Sequence, residues 1–188
     1  MVSPKTWKQL KEKQAEFDQL IVEKSPTELK WVCRFNAERL KLALLVEVGE
    51  FANEIKSFKA WRKKPEVDWA KAKEELIDCL GYFLGLVGIY QINMPSTLHV
   101  ADEKENLPFN ELLLDFFDKT NDLYVEKNER FYNLENKEII KDKTKKNAYH
   151  EWWWIFEKVC WKLKINESEL LEIYLEKNKT NLKRVHAK

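Results

Sequence analysis

Apolar residues recur at intervals of three and four through most of the chain, the spacing that keeps one stripe of a helix turned inward. Trp7, Leu10, Phe17, Leu20 and Ile21 follow it and predict a first helix over about Lys5 to Glu23. Ser25-Pro26-Thr27-Glu28 then reads as a helix start, with serine as N-cap, proline at the first helical position and glutamate placed to return a bond to the cap. Helical text runs on to about Lys63, with an interruption near Asn36, and stops at Lys64-Pro65, because a proline ring disfavours helix in the residue before it. Another helix is predicted from about Asp68 to Tyr90, and the short link between the two predicts an antiparallel pair. Residues Asn93 to Asn110 read as a loop. Helices follow over about Glu111 to Lys127 and Lys137 to Lys164, and Asn166 with Glu169 forms a capping box that opens a last helix to about Asn181.

Composition supports the same picture. Only 4 Gly and 5 Pro occur in 188 residues, too few turn formers for a β-rich fold, so the expected class is all-α, a bundle of about six helices in one domain spanning residues 1–188. The formal net charge of +1 provides no global field for nucleic acid or anionic lipid, and neither is expected as a partner. Cys33, Cys79 and Cys160 lie in apolar helical text without metal spacing and predict ordinary buried thiols in a reducing, cytoplasmic setting. The N-terminal MVSPKTWKQLKEK lacks the apolar run of a secretory signal. No charged residue occurs from Cys79 to Ala101, but the apolar part, CLGYFLGLVGIY, is shorter than the roughly 20 residues a bilayer requires. A buried core helix is expected there. The run Trp152-Trp153-Trp154 predicts core with a dimer contact, and the three histidines have no partner spacing.

The stretch Leu42 to Ala52 is apolar on nearly every side, and its only charges are Glu47 and Glu50. Three residues apart on a helix, the two carboxylates share a face. Glu75 and Asp78 repeat the spacing at the start of the next apolar run, on a helix expected to be a neighbour. Four carboxylates in such a setting repel one another, and desolvation would cost several kcal/mol for each left uncompensated. A positive partner is therefore expected between them. Mg2+ suits a set of hard oxygen ligands that leaves positions for water and phosphate, and it would supply a nucleophile for phosphoanhydride hydrolysis. A single ExxE is an ordinary solvated face; two pairs in apolar text leave chelation and solvation both open, with Glu54 and Glu74 as competing ligands. Gly49, between the first pair, marks either a close approach or plain packing.

ExxE followed by ExxD on the next helix, here Glu47, Glu50, Glu75 and Asp78, resembles the metal signature of the dimeric all-α dUTPases, relatives of the MazG-like nucleotide pyrophosphohydrolases. The likeness is closest over Leu44 to Leu86, including an FKxW segment, Phe58-Lys59-Ala60-Trp61. Gln14-Ala15-Glu16-Phe17-Asp18 is similar to the family's base-recognition segment. Tyr174 to Arg184 is similar to its YxxKNxxNxxR element. The chain's ending, Arg184-Val185-His186-Ala187-Lys188, departs from the family's usual Gly-Tyr-containing tail, and Asn93 to Ile165 matches no family motif.

The resemblance implies an all-α nucleoside triphosphate pyrophosphatase fold and hydrolysis of dUTP, with dUDP as a further substrate. It makes Glu47, Glu50, Glu75 and Asp78 the Mg2+ ligands and the catalytic set. Lys177, Asn181, Arg184 and Lys59 would bind phosphates, and Gln14, Asp18 and Trp61 the base. It also implies a cytoplasmic homodimer. Two alternatives stand beside it: a pyrophosphohydrolase for dCTP or a damaged deoxynucleotide, and a non-catalytic helical binding protein.

Overall fold

A computed structural model describes residues 2–24, 37–61, 66–94, 107–125 and 142–186. Every regular element among them is a helix: α1 (Pro4–Lys24), α2 (Ala37–Ile55), α3 (Trp69–Tyr90), α4 (Phe109–Asp122), α5 (Lys143–Lys162) and α6 (Glu167–His186). The all-α class and the six helices are as the periodicity predicts. The Ser25 capping box, the Lys64-Pro65 stop, Cys33, His99 and most of the 93–110 loop lie outside the described residues.

α3 carries no charged residue from Cys79 onward because that part is largely surrounded. Leu76, Leu80, Phe83 and Leu86 are fully enclosed, and α1, α2 and α6 all pack against it. Each large apolar side chain buried this way contributes about 1.5–3 kcal/mol. The α2–α3 pair is antiparallel, as expected: Glu54 meets Lys71 at 3.0 Å, while Leu40, at the other end of α2, faces Gly85. α1 and α6 run alongside α3, joined to each other by Ser3–Glu167, Tyr174–Gln14 and Asn178–Lys13 hydrogen bonds.

The tryptophan run divides between core and periphery. Phe83 stacks on Trp152 with ring centroids 3.9 Å apart, and Trp152 in turn stacks on Phe156 at 5.4 Å. The Trp152 indole N–H donates to Thr120 Oγ1 at 2.9 Å, satisfying a buried polar group on α4. Trp153 is buried as well, whereas Trp154 is partly exposed beneath the Lys158 ammonium, 3.6 Å from its ring centroid. Cys79 and Cys160 are buried free thiols, as expected.

Several helix ends depart from the sequence expectation. α2 stops at Ile55 rather than Lys63, because Lys56 turns into the left-handed region, φ 59°, while its N–H bonds Ala52 O. Gln91 and Lys164 end α3 and the turn after α5 in the same conformation. Glycine normally holds such positions, but all four glycines, Gly49, Gly81, Gly85 and Gly88, sit inside α2 and α3. α4 ends at Asp122 instead of Lys127, its last carbonyl turn taken up by the Leu123 N–H and the Lys41 ammonium. α5 starts at Lys143 instead of Lys137 because Asp142 caps it, accepting from Thr144 N at 2.8 Å. α6 is capped by Asn166, which accepts from Glu169 N at 2.9 Å, and runs five residues beyond the expected Asn181. No helix among the described residues is long and apolar enough to cross a membrane.

Candidate active site

The acidic pairs come together because α2 and α3 are antiparallel neighbours whose ExxE and ExxD turns lie at the same level. Glu47, Glu75 and Asp78 each offer a carboxylate oxygen within 4.8 Å of the others. Glu50, one turn further along α2, is exposed and outside this trio, though its charge reaches both Glu47 and Glu75. Of the competing ligands, Glu54 is held by Lys71 at 3.0 Å and Lys56 at 3.8 Å, and Glu74 points largely to solvent. Neither joins the trio.

Crowding of like charges leaves its mark on proton affinity. Glu47 is pushed up to about 7, first by burial and then by the charges of Asp78, Glu50 and Glu75, against the pull of Lys177. Glu75 is raised by burial and by Asp78. Asp78 is raised by burial even though the Lys177 ammonium sits 2.7 Å away. Lys177 itself stays above its ordinary range; burial opposes its charge, but the contact with Asp78, helped by Glu74 and Glu75, outweighs that. One ammonium thus partly offsets a cluster that has more negative charge than it can neutralise. An all-oxygen donor set of this density fits a hard divalent cation.

Beside the trio lies a cavity of about 470 Å³, within the range of small-molecule sites. Glu47 and Asp78 line one side, and Lys177, Asn181 and Arg184 from α6 another. The three α6 residues share a face, as their spacing predicts, and Arg184 Nη1 lies 3.4 Å from Asn181 Oδ1. Gln14 and Asp18 from α1 close the far end, linked by a 2.8 Å bond from Gln14 Nε2 to Asp18 Oδ1. Seven of the eleven expected site residues therefore line one cavity, with Glu75 and Glu50 at its acidic edge.

Two expected residues lie elsewhere. Trp61 is 74% exposed in the turn after α2 and does not line this cavity. Lys59 is engaged with Asn53 Oδ1 at 2.8 Å and the face of Phe58, also away from it. Gly49 has no close neighbour, since a Cβ there would meet only Phe117 at 4.0 Å, an ordinary contact. Conversely, the cavity uses Tyr82, Tyr174, Asn178 and Gly81, which motif reading did not assign. Tyr174 opens the YxxKNxxNxxR segment within α6, and Gly81 breaks an apolar run where alanine would be the better helix former; these were the available signals.

No curated protein matches the chain. The sequence profile of the family described as dUTPase matches residues 6–188, so it spans α2, α3 and α6 together with the cavity they enclose. On that match over nearly its whole length, the chain belongs to the dUTPase family, enzymes that hydrolyse dUTP.

Proposed function

We propose that this dUTPase works as a Mg2+-dependent dUTP diphosphatase, releasing dUMP and pyrophosphate and also accepting dUDP. The observation that supports this reading best is the juxtaposition of an acidic trio, an α6 cation face and a polar far end around one cavity. Glu47, Glu75 and Asp78, with Glu50 beside them, would hold the metal. When bound, Mg2+ supplies Lewis-acid polarisation of a phosphoryl oxygen and a water acidified toward neutrality. One carboxylate of the set also positions or deprotonates the attacking water. Lys177 and Arg184 neutralise charge developing on the phosphates and Asn181 donates a hydrogen bond to them, where donors fixed in advance are worth most. Gln14 and Asp18 take the pyrimidine edge.

The exposure of Leu42 (63%) and Val46 (52%), one turn apart on α2, and of Leu114 (65%) on the helix packed against it supports a homodimer. Trp61 and Lys59 would then serve the site across or beside that contact, and the enzyme would act in the cytoplasm.

The test is a panel of deoxynucleoside triphosphates and dUDP assayed for product release, with and without a chelator. Mg2+-restored activity that favours the uracil nucleotides is expected. Equal rates on all pyrimidines would remove the uracil assignment, and activity indifferent to the chelator would remove the metal.

A further inference from the structure

The far end of the cavity is built to present one group. Gln14 is fixed at both ends of its amide: Nε2 donates to Asp18 Oδ1 at 2.8 Å, and Oε1 accepts from the buried Tyr174 hydroxyl at 2.9 Å. α3 faces these residues with bare backbone. A Cβ on Gly81 would stand 3.6 Å from Gln14 Oε1, and one on Gly85 would stand 3.9 Å from Asp18 Oδ2 and 3.2 Å from Leu40. The distances to Gln14 and Asp18 are ordinary contacts and only the approach to Leu40 is tight, so α3 packs directly against both side chains and holds them at the cavity's edge. With Gln14 committed to its two partners, Asp18 is the group at this end whose donor or acceptor character can change.

Resting on the proposal that Gln14 and Asp18 take the base, we infer that the protonation state of Asp18 decides which pyrimidine the cavity accepts, the carboxylate reading uracil and the carboxylic acid reading cytosine. The chemistry follows from the two base edges. Uracil offers an N3–H donor, and an ionised carboxylate only accepts. Cytosine has a lone pair at N3 beside an amino donor, so a carboxylate meets repulsion at N3, whereas a carboxylic acid donates to N3 and accepts from the amino group. A buried group left facing the wrong edge is what gives large discrimination.

Enclosure places the change in an accessible range. Burial pushes Asp18 up to about 6, against the pull of the Gln14 N–H. The other titratable groups turned to the cavity are Glu47 from α2, Asp78 and Tyr82 from α3, and Tyr174, Lys177 and Arg184 from α6. Of these, Tyr174 is raised by burial and by the Asp18 charge, so it stays a neutral donor to Gln14 throughout.

The experiment is calorimetric binding of dUMP and dCMP to the full chain with saturating Mg2+, from roughly pH 6 to roughly pH 8, where the cytosine ring itself stays unprotonated, for wild type and Asp18→Asn. The ratio of the two Kd values is the readout, because protonation of the acidic trio and of the shared phosphate cancels in it. In the limit of strict reading, the wild-type preference for dUMP falls about tenfold for each pH unit removed, since it follows the ratio of ionised to protonated Asp18. The amide introduced by D18N cannot titrate, so the ratio for that variant should be flat. A pH-independent wild-type ratio, or a slope that persists in D18N, overturns the inference. If D18N leaves both affinities unchanged at every pH, the base does not meet Asp18 and the underlying reading of the base site fails as well; a weakened dUMP affinity with a flat wild-type ratio sinks the inference alone.

Discussion

Glu47→Gln should abolish dUTP hydrolysis and, in metal-free protein, raise stability. Gln keeps the shape of the side chain while removing a negative charge from the trio. A rise in Glu47 from the ordinary 4.5 to about 7 corresponds to an upper bound of about 3.4 kcal/mol at about 1.36 kcal/mol per pH unit. Glu47 is only partly buried, so solvent screening reduces this to about 1–2 kcal/mol. The direction depends on pH. Below about 4.5, folded and unfolded chains both hold the proton and the charge costs nothing. Between 4.5 and about 7 only the unfolded chain loses it, so folding is progressively penalised as pH rises, and above about 7 the full penalty remains. The gain from Gln should therefore be present at about pH 8 and absent near about pH 4.5. For a chain of this size it amounts to a Tm increase of about 2–8 °C. Scanning calorimetry of chelator-treated wild type and variant at both pH values measures it. Equal Tm at high pH, or a gain that does not shrink in acid, would refute the argument that the trio stores electrostatic repulsion.

Two further outcomes follow from the same geometry. Lys177→Met removes the ammonium 2.7 Å from Asp78 and should lower kcat/KM for dUTP by about 10²-fold, while metal-free stability falls by about 1 kcal/mol; steady-state kinetics and thermal melts check both, and unchanged kinetics would leave Lys177 a structural partner of Asp78. Val46→Glu, at a position 52% exposed on α2, should convert the proposed dimer to monomer with helix content intact, which light scattering and circular dichroism report; an unchanged mass would move the interface elsewhere.

Local physics made the helices and their chemistry readable in advance. The 3.6-residue periodicity, the Asn166 cap and the scarcity of glycine and proline predicted six helices, and spacing alone placed Glu47 with Glu50, Glu75 with Asp78, and Lys177 with Asn181 and Arg184 on shared faces. Helix ends were less legible. Lys56 in the left-handed conformation and the Asp142 cap depend on where the chain must turn to pack, which a run of good helix formers does not reveal. Only the tertiary structure decided which pairs meet. It put Glu47 within reach of Glu75 and Asp78 while leaving Glu50 at the edge, set Lys177 against Asp78, and left Trp61 outside the single-chain cavity. It also brought Tyr174 from α6 onto Gln14 of α1, 160 residues away, and set Gly81 of α3 beside Gln14 in the cavity lining. Periodicity records what neighbours along the chain share, a face and a level, whereas burial, proton affinity and cavity shape are set by residues far apart in sequence whose distances exist only once the helices have packed.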